Sequence, residues 1–225
     1  MSLAKRYLSV KQKISTCRNK HGNTQEIDLL AVSKKHSIDK IQQLYKLGHR
    51  KFGESYVNEA VEKIKSLPNS GIEWHFIGPL QSNKSKFIAK YFSWVQSVDT
   101  LKLLTRLNRQ RDSNTDKLNV LLQLKVGGEI TKRGLSADEL LNLAEKFNQF
   151  KNLTIRGLMC IPAPTADLQL QLQQFKKCHE VFQAMQKIIP VDTLSMGMSS
   201  DLEAAIISGT TMVRIGTDIF GARVN

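Results

Sequence analysis

The residue types best suited to chemistry in this 225-residue chain are one amine and two stretches of small glycine and hydroxyl residues. Lys34 ends the apolar run Ile27-Asp28-Leu29-Leu30-Ala31-Val32-Ser33. A lysine at the carboxyl end of a buried strand sits where parallel α/β folds place their ligands. In a partly dry pocket, desolvation favours its neutral, nucleophilic form. Far along the chain, Ser195-Met196-Gly197-Met198-Ser199-Ser200-Asp201 offers a glycine for close backbone approach, the Ser199 and Ser200 hydroxyls, and a helix start, which suits an anion such as phosphate. Arg214-Ile215-Gly216-Thr217 offers a second glycine followed by a hydroxyl. Each has a plainer reading. Lys34 could be solvated beside Lys35, Gly197 could be an ordinary turn, Ser199 or Ser200 a helix cap, and Gly216 a strand glycine.

Arg214 shares a strand face with Gly216, so if Gly216 faces a ligand, Arg214 faces inward. A buried guanidinium needs an acceptor. The ring nitrogen of pyridoxal phosphate is one, and an aldehyde held between Arg214 and Lys34 can form a Schiff base with the lysine. A carboxylate such as Asp218 or Glu203 is the other. His75 is read either as a cofactor-ring contact or as a buried, hydrogen-bonded histidine, and Asn83 as a cofactor contact or a helix cap. Gly53-Glu54-Ser55-Tyr56 ends a second strand towards the same mouth. Met159 and Cys160 read as core. Asn58 and Met198 complete the candidate cofactor-binding set of Lys34, Asn58, His75, Asn83, Met198, Ser199, Arg214, Gly216 and Thr217. No metal site is expected, because the histidines are scattered and no Cys-x-x-Cys occurs. There is no Gly-x-Ser-x-Gly elbow and no P-loop.

These residues need strands that end at one mouth. Strand-like runs fall near Ile27–Ser33, His49–Glu54, Ile72–Gly78, Trp94–Asp99, Leu118–Val126, Leu153–Ile161, Thr193–Ser199 and Met212–Phe220. Helical patterns cover Leu3–Arg18, Ile38–Leu47, Val57–Leu67, Lys84–Tyr91, Leu101–Gln110, Ala137–Phe150, Leu168–Ile189 and Leu202–Ser208. Ser136 and Glu139 have capping-box spacing, Gly48 reads as a helix-ending glycine, and Pro190 closes the longest helix. Alternation of this kind predicts an α/β fold, a single-domain (β/α)8 TIM barrel over residues 1–225. Closure would place the first strand beside the eighth, and Lys34 beside Arg214. An open doubly wound sheet is the runner-up, but Lys34-Lys35-His36-Ser37 holds no glycine for a dinucleotide fingerprint.

Composition narrows the class. A hydrophobic content of 41% and charged content of 24% describe a globular chain. No apolar run reaches membrane-span length, and Met1 to Lys13 lacks the apolar centre of a secretory signal. Cys17, Cys160 and Cys178 are far apart and odd in number, which predicts reduced thiols in a cytoplasm. The net charge of +13 would attract polyanions, but the basic residues are spread along the chain, so specific nucleic-acid binding is not expected.

Several stretches together resemble one family. They are Ala31-Val32-Ser33-Lys34, Phe52-Gly53-Glu54 with Tyr56, His75-Phe76-Ile77-Gly78-Pro79-Leu80-Gln81-Ser82-Asn83-Lys84, Arg156-Gly157-Leu158-Met159, Leu194-Ser195-Met196-Gly197-Met198-Ser199-Ser200-Asp201, Val213-Arg214-Ile215-Gly216-Thr217 and Phe220-Gly221-Ala222-Arg223. The chain resembles the pyridoxal phosphate homeostasis proteins, the YggS/PROSC family, over nearly its whole length. The resemblance implies a fold-type III barrel like that of alanine racemase, with pyridoxal phosphate on Lys34 and Lys35 as a neighbour. It implies phosphate contacts from Ser199, Gly216 and Thr217, and a ring-nitrogen contact from Arg214. Lys132 matches a secondary cofactor-handling position, and Ser55 stands where the family more often has asparagine. The expected role is a carrier: a monomer that binds the cofactor reversibly and supplies apo-enzymes, without a catalytic residue of its own. Tyr56 and His75 are the only obvious second bases, so a racemase or decarboxylase of amino acids is the alternative. A cofactor-free sugar-phosphate barrel and a charge-driven nucleic-acid binder are the remaining rivals.

Overall fold

A computed structural model describes residues 1–68, 70–126 and 133–222. Eight parallel strands close into a barrel in sequence order: β1 (Asp28–Val32), β2 (Lys51–Glu54), β3 (Glu73–Phe76), β4 (Trp94–Val98), β5 (Leu118–Leu124), β6 (Leu153–Cys160), β7 (Thr193–Ser195) and β8 (Met212–Ile215). The helices are α1 (Leu3–Lys20), α2 (Ile38–Lys46), α3 (Val57–Ser66), α4 (Ser85–Tyr91), α5 (Leu101–Gln110), α6 (Ala137–Ala144), α7 (Leu168–Gln186), α8 (Leu202–Ile207) and α9 (Thr217–Phe220). The expected TIM barrel is therefore present. Its strands are rich in buried Leu, Val, Ile and Phe because parallel strands under helices are covered on both faces.

The main apolar core fills the layer between barrel and helices, and includes Ala31, Phe52, Phe76, Val95, Leu122, Leu158, Leu194 and Val213. Alternate residues on the same strands point into the lumen, where Trp94, Leu121 and Met159 form a small separate cluster. The barrel closes at β1 and β8, with Leu30 beside Arg214 and Ala31 beside Ile215.

Local chemistry explains most boundaries. The Ser136–Glu139 capping box starts α6, and Gly48 takes φ 88 just after α2. The largest shortfalls against the sequence pattern are at the ends of three elements. The helix expected to run to Phe150 stops at Ala144, and a 3₁₀ turn at Phe147–Gln149 follows. That tighter turn lets Phe147 and Phe150 both enter the core. β7 ends at Ser195 because Gly197 turns the chain at φ 96, tight against α8, where a Cβ would meet that of Ala205 at 2.5 Å. β8 ends at Ile215, and the residues expected to extend it wind into α9. Winding buries Ile219 and Phe220, and Arg6 of α1 caps their carbonyls with bonds of 2.7 and 3.4 Å. No helix among the described residues is long and apolar enough to cross a membrane.

Candidate functional site

Lys34 is half-buried in the turn that follows β1. The strand delivers it to the carboxyl end of the barrel, at the seam with β8. Val32, two residues earlier, packs beside Gly216, where a Cβ would lie 3.5 Å from that of Val32. His36 stacks on Phe220 with ring centroids 4.9 Å apart, and Lys40 donates to the Phe220 carbonyl at 3.3 Å. The turn bearing Lys34 is thus packed directly against α9, which begins at Thr217. Gly216 and Ser199 are half-buried and Thr217 is exposed. The Gly197 carbonyl accepts from the Arg214 amide at 2.9 Å, so the loop after β7 is tied to β8. Met198 and Ser199 follow directly in that loop.

Arg214 lies inside the barrel, 4% exposed. Its Nη1 donates to the Ser195 carbonyl at 2.7 Å and to Ser195 Oγ at 2.8 Å, and its Nη2 donates to the Cys160 carbonyl at 2.8 Å. Among the described residues it makes no ion pair. Neither carboxylate named as its alternative partner is used. Glu203 instead meets Lys20 and His21 in the outer layer. Neutral carbonyls hold the guanidinium in place and leave part of its donor fork unspent.

The chain of bonds continues across the lumen. Ser195 Oγ donates to Gln96 Oε1 at 2.8 Å, and Gln96 Nε2 lies 3.0 Å from His75 Nδ1. β4 and β7 are not neighbours, so the Gln96–Ser195 bond must cross the barrel interior. Because Gln96 donates, His75 Nδ1 accepts, and the imidazole proton belongs on Nε2. That Nε2 is buried without a partner. Burial holds the His75 pKa well below its ordinary value, so the ring is neutral. His75 is 0% exposed and stacks on Trp94 at 5.0 Å. Among the described residues it is linked to Arg214 through Gln96 and Ser195, in keeping with the buried, hydrogen-bonded one of its two readings.

Asn58 sits on α3, whose next residue Glu59 accepts from the Lys35 amide, and Asn83 lies in the loop after β3. Asn58 is exposed in the first turn of α3 and lines a cavity of about 390 Å³ with Ser55, Tyr56, Phe76, Gln81 and Arg133. Asn83 is exposed in a 3₁₀ turn at Ser82–Lys84. The β2 and β3 loops meet closely there. A Cβ at Gly78 would fall 2.2 Å from the Ser55 carbonyl oxygen. Lys132 lies outside the described residues.

The comparisons with known proteins bear on this mouth. Residues 8–224 match the family model "Alanine racemase, N-terminal domain". The pyridoxal phosphate homeostasis protein of Haemophilus influenzae is 47% identical over 220 residues, covering 95% of this chain and 93% of its own. The chain belongs to the pyridoxal phosphate homeostasis protein family. Its Escherichia coli K12 member is 45% identical over 226 residues, covering 98% of this chain and 97% of its own. Among solved structures, Synechococcus elongatus PipY with pyridoxal phosphate bound superposes with a TM-score of 0.83 at 30% identity, covering 98% of this chain and 100% of PipY. Alanine racemase from Corynebacterium glutamicum shares the fold, with a TM-score of 0.70 at 13% identity over 94% of this chain and 60% of its own.

Reading the sequence of this family member missed Gln96, Ser195 and Lys63. Gln96 and Ser195 are polar residues at inward strand positions, which is a usable signal. Lys63, 5% exposed, donates to Glu54 Oε1 at 2.7 Å and to Glu59 Oε1 at 2.6 Å. In sequence, Glu59 and Lys63 look like an ordinary solvated i,i+4 pair. The fold also gathers Cys17, His21 and Glu203, with ligand atoms within 4.8 Å of one another, although the sequence showed no metal-like spacing. Glu203 is already engaged by Lys20 and His21.

Proposed function

We propose that this chain binds pyridoxal 5′-phosphate as a Schiff base on Lys34 and supplies it to apo-enzymes that need it. The observation that carries the reading is the β1–β8 seam, where the turn holding Lys34 packs against Gly216 and α9 one step above the buried Arg214. The donor set fits the group. Ser199, Thr217 and the backbone at Gly216 offer the hydroxyls and amides a phosphate takes, and Arg214 offers an unspent cationic donor towards a ring nitrogen.

A bound pyridoxal phosphate supplies an electrophilic aldehyde carbon and an anionic anchor. Lys34 would hold that carbon through a reversible condensation that releases water, which suits a carrier. Arg214 would disfavour protonation of a ring nitrogen held beside it and so would weaken the cofactor as an electron sink. His75 is buried beneath the site with its basicity lowered by burial, which supports the reading without it as a second base. Tyr56, 50% exposed on the 390 Å³ cavity, is the other, and the racemase or decarboxylase alternative rests on it. The names of the curated relatives describe homeostasis proteins and not enzymes. A cytoplasmic monomer is the form in which we expect the carrier to act.

The test is spectroscopic. The purified protein with pyridoxal phosphate should show an imine absorbance band and, after borohydride, a stable adduct on the Lys34 peptide. Lys34→Ala should lose both, and the loaded wild type should restore activity to an apo-enzyme. An adduct retained in full by Lys34→Ala would overturn the assignment. Exchange of α-deuterium in amino acids, lost in Lys34→Ala and Tyr56→Phe, would favour the enzyme alternative.

A further inference from the structure

The turn that carries Lys34 is gripped from outside the barrel by a buried polar network. Lys63 of α3 donates to the Ser33 carbonyl at 2.9 Å, to Glu54 Oε1 at 2.7 Å and to Glu59 Oε1 at 2.6 Å. Ser33 Oγ donates to the same Glu54 oxygen at 2.6 Å. Glu59 Oε1 also accepts from the backbone amide of Lys35 at 2.7 Å. Two of these bonds seize the main chain on either side of Lys34: the carbonyl before it and the amide after it.

Backbone strain marks the same spot. Lys35 has φ 60, the one positive φ at a non-glycine among the described residues. A long side chain in the left-handed region is unfavourable and persists only where its surroundings over-determine it. The Glu59 carboxylate, itself held by Lys63, is such a determinant. The network is also a poor device for stability alone. Glu54 is 0% exposed, its Oε2 has no partner, and Lys63 is 5% exposed. Buried charges of this kind can often be replaced by apolar residues without loss of stability.

We propose that Ser33, Glu54, Glu59 and Lys63 are positioning residues for Lys34: a clamp that forces the chain through a strained turn and thereby presents the lysine amine to the mouth of the barrel. The inference rests on the reading that Lys34 forms the Schiff base, and adds to it the outer network that makes the amine competent. The four act through the backbone of Lys34.

The experiment compares two ligands on full-length protein. Pyridoxal phosphate reports imine formation, by absorbance and by borohydride trapping with peptide mapping. Pyridoxine 5′-phosphate has the same ring and phosphate but no aldehyde, so it reports the rest of the site. Glu59 is partly exposed, so Glu59→Ala is the variant of choice. Its imine-formation constant should fall roughly tenfold or more, as expected for loss of a charge-assisted bond. Its affinity for pyridoxine 5′-phosphate should stay within about twofold. Glu59→Gln, whose amide oxygen can still accept from Lys35, should recover most of the loss. In ligand-free protein, hydrogen exchange at the Lys35 amide should rise in Glu59→Ala. Equal imine constants in wild type and Glu59→Ala would overturn the clamp, and so would a parallel fall for both ligands. Wild-type protein that traps nothing on Lys34 would overturn the underlying reading instead, whatever the variants do.

Discussion

His49 shows how single side chains tie this fold to pH. Its Nε2 donates to the Lys51 carbonyl at 2.7 Å, its Nδ1 lies 3.3 Å from the Tyr7 hydroxyl, and burial pulls its pKa from 6.5 down to about 4. The unfolded chain therefore binds the proton more readily than the folded one between those values. Stability from this group is present above about pH 6.5 and is lost as pH falls towards 4, by about 3 kcal/mol. His75, shifted in the same direction, adds to the trend. Urea unfolding at pH 7 and pH 4.5 should show the drop in wild type and a smaller one in His49→Gln. An identical pH dependence in both would refute the assignment. At this scale the sequence was most legible where residue type and position coincide. Lys34, Gly216 and Arg214 stood out because an amine, a glycine and a cation at strand ends suit an anionic aldehyde, although each also had a plainer reading. The Arg214–Ser195–Gln96–His75 chain was not legible. Its members come from four strands, and only closure of the lumen makes them neighbours.

Among the elements, the β2 and β3 loops depend on close approach. Gly78 has no space for a side chain, since a Cβ would sit 2.2 Å from the Ser55 carbonyl oxygen. Gly78→Ala should cost about 2 kcal/mol by overpacking, measured by urea denaturation. It should also widen the 390 Å³ cavity that Ser55, Tyr56 and Asn58 line. Retention of full stability would mean the loops part freely. The α6 cap is milder: Ser136→Ala, which removes the bond from the Glu139 amide, should cost about 1 kcal/mol. The sequence read the number and order of strands correctly because buried parallel strands are continuous apolar runs. It overran the ends of β7 and β8 because Gly197 and Gly216 sit inside apolar stretches whose turns are set by packing against α8 and α1.

For the molecule as a whole, charge is the dominant property outside the site. The formal excess is +13, and the sequence pI is about 9.7. Non-specific binding to polyanions falls steeply with salt, and the basic residues are spread along the sequence without a basic run. Retention on heparin or random duplex DNA at low ionic strength should therefore be lost by about 0.15 M salt. Submicromolar, sequence-selective binding at that salt would revive the nucleic-acid alternative.

The seam between β1 and β8 also bears on how the protein is made. Lys34 leaves the ribosome well before Arg214, Gly216 and Thr217, with six strands between β1 and β8. Until the eighth strand docks beside the first, a nascent chain has the amine without the opposing wall. Ribosome-arrested chains that stop before Met212 are expected to capture no pyridoxal phosphate on Lys34, and capture should appear abruptly once β8 has cleared the exit tunnel.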